Sequence, residues 1–184
     1  MRKLVGTSAV LALLGSAAMA TGLEIEVAGE ANGTVKIDLL EDVAPAHVAQ
    51  ITELAEEGAY DGVVFHRVID GFMAQTGDVQ FGRADGDTAR AGMGGSDKPD
   101  LEAEFSDIAY EKGVVGMARS QSPNSANSQF FIMFDEAPFL DGQYTVVGQV
   151  TEGQDVVDAI KRGTGPNGAV VGTPDVMQKV TVTE

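Results

Sequence analysis

Apolar side chains recur at every second position in Leu23-Glu24-Ile25-Glu26-Val27 and again in Val35-Lys36-Ile37-Asp38-Leu39. A period of two is the mark of a strand with one buried face. Between them lies Asn32-Gly33, a dipeptide that tolerates the positive φ angles of a tight turn, so the two segments read as a hairpin. The same turn accounts for the glycosylation-like Asn32-Gly33-Thr34. Further apolar runs at about 62–70, 72–78, 112–118, 128–134, 144–150 and 176–182 read as strands. Only two stretches carry a helical period. One starts at Pro45, repeats apolar residues at Val48, Ile51, Leu54 and Ala55, and stops at Gly58. The other is predicted from Thr151 to Gly163, with Thr151 and Gln154 at capping-box spacing and Lys161 and Arg162 in the last turn. The expected fold is mainly β: a closed eight-stranded antiparallel β-barrel capped by two α-helices. Arg83 to Asp100, rich in Gly, Asp and Ser, reads as a long surface loop.

Residues 1–20 stand apart from this pattern. Met1-Arg2-Lys3 is basic, Leu4 to Leu14 is mostly apolar, and Ala18-Met19-Ala20 has the small-x-small form of a signal-peptidase site. The stretch is too short to span a bilayer, which needs about 20 apolar residues. It is therefore read as a cleaved secretory signal, leaving 21–184 as one domain with no stable membrane association. Cleavage removes two cations and no acid, taking the formal charge from −16 to −18. So acidic a surface repels phosphate backbones, which argues against nucleic acid as a partner. The chain has no cysteine, which excludes thiolate catalysis, CxxC redox chemistry and cysteine zinc sites. His47 and His66 are the only histidines, too few to favour a transition-metal centre. Asp85-Gly86-Asp87 lacks the ordered ligands of an EF-hand, and Gly92-Met93-Gly94-Gly95 lacks the Lys-Ser/Thr of a phosphate loop. No metal or cofactor is expected.

Two segments carry chemistry. In Tyr60-Asp61-Gly62-Val63-Val64-Phe65-His66-Arg67-Val68-Ile69-Asp70-Gly71-Phe72-Met73-Ala74-Gln75-Thr76-Gly77-Asp78, a cation sits inside an apolar strand, and alternation puts Phe65, Arg67 and Ile69 on one face. A guanidinium keeps its proton and is costly to bury. It must pair with a carboxylate or line a polar-edged cleft, and spacing alone favours the pair. The second segment, Met117-Ala118-Arg119 followed by Asn124-Ser125-Ala126-Asn127-Ser128-Gln129-Phe130-Phe131-Ile132, sets a polar turn before an apolar strand.

The first segment resembles the Phe-His-Arg-Val-Ile…Gly-Phe-Met…Gln…Gly-Asp signature of the cyclophilin family of peptidyl-prolyl isomerases. The second resembles that family's Met-Ala…Ser-Gln-Phe-Phe-Ile stretch, and Phe139-Leu140-Asp141-Gly142 with Val146-Val147-Gly148 continues the likeness in order and spacing over residues 23–183. The resemblance implies a catalytic set of Arg67, Gln75 and Phe72. In it, Arg67 is the catalytic arginine, Gln75 bonds the substrate backbone, and Phe72 walls a proline pocket with Met73, Phe131 and Leu140. It further implies Ala118, Arg119 and Gln129 along an adjoining peptide groove, with Phe65 and His66 in support. Phe139 stands where many eukaryotic members carry tryptophan, and Tyr144 where they carry histidine, a pairing similar to bacterial cyclophilins. The first change implies weakened cyclosporin binding.

The implied activity is rotation of X-Pro amides in unfolded or flexible polypeptides by a monomeric periplasmic enzyme that assists folding. A non-catalytic module binding proline-containing segments is the main alternative, although a pure binder needs the pocket and not the charged donor. An acidic ligand or calcium carrier is a second, resting on net charge alone.

Overall fold

A computed structural model describes residues 21–184, and the stretch read as a secretory signal lies outside them. The elements are β1 (Gly22–Ala28), β2 (Gly33–Leu39), α1 (Pro45–Glu56), β3 (Val63–Val64), β4 (Arg67–Ile69), β5 (Met73–Thr76), β6 (Val114–Met117), β7 (Phe130–Met133), β8 (Val146–Glu152), α2 (Gln154–Asp158) and β9 (Val176–Thr183). All nine strands belong to one antiparallel sheet in the order β3-β9-β1-β2-β8-β6-β7-β5-β4.

This corrects the closed eight-stranded barrel in two respects. The run at 62–70 is two strands: Val63 and Val64 pair with β9, whereas Arg67 to Ile69 pair with β5 at the far end of the sheet. The sheet therefore curls back on itself, and its two end strands are joined by the chain at Phe65-His66 instead of by a ladder. Across this seam the Thr76 hydroxyl donates to the Val64 carbonyl at 2.9 Å.

The β1–β2 hairpin forms with Ile25 opposite Val35. Its positive φ angles fall on Gly29 and Gly33 and not on Asn32, so the connection is longer than a two-residue turn. Gly29 is needed for proximity, because a Cβ there would strike the Asp175 carboxylate. That carboxylate, 1% exposed, accepts the backbone N–H of Ala31 at 3.1 Å and of Lys161 at 2.7 Å. One buried side chain thus ties the hairpin to the segment after α2.

Helix α1 follows the periodicity, burying Val48, Ile51, Leu54 and Ala55 and packing on β9, with Gly58 in the left-handed region just beyond it. Ala44 offers no side-chain cap. The Glu104 carboxylate substitutes, accepting N–H bonds from Ala46 and His47 and lying 2.6 Å from His47 Nδ1. Helix α2 is shorter than expected. Thr151 and Glu152 remain in β8 because Glu152 still pairs with Lys36 of β2, so ladder bonds override the capping-box spacing and Gly153 becomes the N-cap. Arg162 nonetheless donates to the carbonyls of Asp158 at the helix end and of Ile160 just beyond it.

Strand alternation builds two cores on opposite faces of the sheet. Phe130 and Ile132 of β7 face an interior with Ile25, Val35, Phe65 and Ala74. Phe131 and Met133 face outward into a second cluster with Met73, Tyr110, Leu140 and Val146. Replacing Asp175 with Ala strands two backbone donors, each costing roughly 1–3 kcal/mol when buried. The urea midpoint of Asp175→Ala is expected to report a loss of about 2–5 kcal/mol, with Asp175→Asn, which keeps one acceptor oxygen, losing less.

Candidate active site

Cross-strand register aligns the site on the outer face of the sheet. Arg67 on β4 lies opposite Gln75 on β5, Gln75 opposite Phe131 on β7, and Phe131 opposite Gly116 on β6. A Cβ at Gly116 would come within 2.6 Å of the Phe131 ring, so that glycine leaves the room in which Phe131 stacks on Tyr110 at 5.8 Å between centroids.

The result is a cleft of about 480 Å³ that brings together Arg67, Phe72, Met73, Gln75, Ala118, Arg119, Phe131, Phe139, Leu140 and Tyr144, with Gln143 as a further wall. Its floor is apolar: Met73, Phe131 and Leu140 are all buried. Phe72 and Phe139 form the rim at 5.5 Å between ring centroids, with Phe139 69% exposed. The Arg119 guanidinium lies 4.2 Å over the Tyr144 ring and donates to the Gln143 carbonyl at 2.8 Å, which fixes the opposite wall. A second cavity of about 410 Å³ shares Gln75, Ala118 and Arg119 and adds Gln129 and the Gly92–Ser96 stretch, extending the cleft into a groove.

Arg67 has no carboxylate partner among the described residues, so the ion pair favoured by spacing is corrected. Its Nη1 donates to Gln75 Oε1 at 3.0 Å, its Nε to the Asn167 carbonyl at 3.0 Å, and its Nη2 to Asn167 Oδ1 at 3.1 Å. Partial burial draws its pKa down, yet a guanidinium stays charged at any physiological pH. The chain of bonds continues from Gln75 Nε2 to Gln129 Oε1 at 2.9 Å and from Gln129 Nε2 to the Gly94 carbonyl at 2.8 Å. Gly94 is itself held by Asp78, which is fully buried and accepts the N–H groups of Gln80, Phe81, Gly92 and Gly94 at 2.7–3.1 Å.

Phe65 does not reach the cleft. The strand switch after Val64 turns it inward, where it is 1% exposed and its N–H bonds the Asp175 carbonyl. His66 lies behind Arg67 in a side cavity of about 240 Å³ with Met93 and Asn167. Asn167 and Asp78 carry no role in the sequence reading. Asn167 is 100 positions from Arg67, and its only sequence signal is the turn-like Pro166-Asn167-Gly168.

Desolvation lowers the His66 pKa to about 4, opposed by the negative charge of Asp78. The unfolded chain, with an imidazole pKa of about 6.5, takes up this proton first. The contribution of His66 to stability is thus fully present above about pH 6.5 and is lost as pH falls toward the folded value. A loss of up to about 3 kcal/mol is expected, read as a falling thermal midpoint between about pH 6.5 and 4.5, with His66→Gln showing a shallower slope over the same range.

The family model described as cyclophilin type peptidyl-prolyl cis-trans isomerase/CLD matches residues 23–183. A probable peptidyl-prolyl cis-trans isomerase of Brucella suis is 61% identical over 153 residues, spanning 82% of this chain and 78% of that protein. A cyclophilin crystal structure from Hirschia baltica superposes with a TM-score of 0.70 at 28% identity, over 87% of this chain and 73% of that one. A cyclophilin-type isomerase structure from Cryptosporidium parvum, at 22% identity, shares the fold with a TM-score of 0.75 over 90% and 99% of the two chains. With a family match across the whole sheet and a relative this similar, the chain belongs to the cyclophilin-type peptidyl-prolyl cis-trans isomerases.

Proposed function

We propose that this isomerase seats a substrate proline on Met73, Phe131 and Leu140 and turns the preceding amide under the charge of Arg67. Amide resonance sets a barrier of roughly 18–20 kcal/mol to this rotation. In the twisted state the prolyl nitrogen regains its lone pair, becoming pyramidal and basic, so a fixed cationic donor directed at it favours the transition state over either planar isomer. No bond to the enzyme forms or breaks. The observation that carries this reading is a half-buried guanidinium held by three hydrogen bonds to uncharged acceptors at the edge of an apolar cleft. Gln75 directs Arg67 through its carbonyl oxygen, and its second amide proton stays available for the substrate backbone. Arg119, Ala118 and Gln129 line the groove that takes the flanking residues, and Phe139, with no ring N–H to donate, makes cyclosporin a weak ligand.

The natural substrates are proline-containing segments of unfolded chains. Residues 1–20, acting as an export signal, deliver the enzyme as a monomer to the periplasm, where newly secreted proteins need such folding assistance. Mass spectrometry of the periplasmic fraction is then expected to find a chain starting at Thr21. A cytoplasmic protein retaining Met1 would overturn the export reading.

Activity is tested by cis-to-trans relaxation of a short Ala-Pro peptide. Arg67→Ala is expected to lose roughly 100- to 1000-fold in turnover, the usual cost of removing one preorganised donor, with an unchanged thermal midpoint. Full activity in that variant would refute the role of Arg67. Peptide binding without acceleration by the wild type would instead indicate a proline-binding module.

A further inference from the structure

Asn167 is the only non-glycine residue among those described with positive φ, at φ 54 and ψ 30. A side chain in the left-handed region is sterically disfavoured for most residues, and such outliers persist where the surroundings impose them. Here the surroundings are specific. Residues 163–170 lie along the free edge of β4: the Gly163 N–H donates to the Val68 carbonyl at 2.8 Å, the Val170 N–H to the His66 carbonyl at 3.0 Å, and Ala169 forms an antiparallel bridge with Arg67 itself. Gly168 is pressed so closely on Ile69 that a Cβ would collide with it. The backbone at 167 therefore has little freedom, and its left-handed turn brings both its carbonyl and its side-chain oxygen onto the Arg67 guanidinium, on Nε and Nη2. Gln75 takes Nη1 from the other side.

The geometry points to Asn167 as a positioning residue for the isomerase reaction. It is the uncharged clamp that holds the Arg67 guanidinium against the β4 edge, and its left-handed backbone, which asparagine tolerates better than most residues, is the means by which two acceptors are presented at once. The choice of amide over carboxylate follows from the chemistry. An Asp would orient the guanidinium equally well but would offset the charge that the twisted amide needs. This rests on the role given to Arg67 above.

The test uses Asn167→Gly, because glycine adopts positive φ without cost and so removes the side-chain acceptor while keeping the turn. Kinetics are read beside the ¹H–¹⁵N side-chain signals of Arg67 in the purified protein. Asn167→Gly is expected to lose about tenfold in kcat, in keeping with loss of one charge-assisted hydrogen bond. KM should stay within about twofold, the thermal midpoint should not fall, and the Arg67 Nη signals should exchange faster. Asn167→Asp, which keeps an oxygen in place but adds a negative charge, is expected to keep the slow exchange of the Arg67 Nη signals while still losing kcat. Unchanged kcat in Asn167→Gly while Arg67→Ala is inactive would overturn the clamp alone, and full activity in Arg67→Ala would overturn the underlying reading. A kcat loss in Asn167→Gly accompanied by a lower thermal midpoint or by unaltered Arg67 signals, or wild-type kcat or fast Arg67 exchange in Asn167→Asp, would likewise sink the clamp.

Discussion

A positive charge held on an apolar sheet face by uncharged acceptors alone is the constraint around which this molecule is arranged. With 28 acids against 12 Lys and Arg in the chain, a carboxylate could readily settle on Arg67, and a contact ion pair would cancel most of the field that the guanidinium projects into the cleft. Instead Gln75 and Asn167 engage three of its five N–H donors with carbonyl dipoles and leave the others for the cleft. Acids are used elsewhere, where backbone N–H groups need acceptors: Asp78 gathers four amides, Asp175 two, and Glu104 the first turn of α1.

The sheet makes this arrangement possible because β5 and β7 are buried on both faces. Inward residues such as Phe130 and Ile132 fill the curl of the sheet, so its interior is packed and the chemistry is displaced to the outside. There, loops must supply the walls. The loop after β5 is fixed from within by Asp78, and through Gly94, Gln129 and Gln75 its position is relayed by hydrogen bonds to Arg67. The segment after α2 clasps the same guanidinium from the β4 side. Two loops remote in sequence thus converge on one side chain.

Local signals were legible wherever local physics decided the outcome. Alternation found β1 and β2, and Pro45, the apolar stripe and Gly58 delimited α1 almost to the residue. The family motifs collected ten of the cleft residues, though they included Phe65, which the strand switch turns inward. That switch left no trace, because Val63-Val64-Phe65-His66-Arg67 contains no turn residue. The break arises from pairing with β9 on one side and β5 on the other, which no window of neighbours can register. Thr151 misled for a related reason, since its capping spacing competes with a ladder to β2 more than a hundred positions away. Asn167 was hidden by distance, and Pro166-Asn167-Gly168 looks like any surface turn until its carbonyl is seen on Arg67.

The seam between β3 and β4 also governs how the chain can reach this structure. Strand β9 pairs with β1 on one side and with β3 on the other, so Leu23 finds its partner Val182 only at the far end of the sequence. Closing so long a loop carries its entropic cost before any contact repays it, and topologies dominated by such pairings fold slowly. Until β9 docks, β1 and β3 present bare edges beside exposed apolar side chains, a state prone to associate with other chains. An enzyme whose reaction is the rotation of single X-Pro bonds thus carries, in its own topology, an obligation to wait for its last strand.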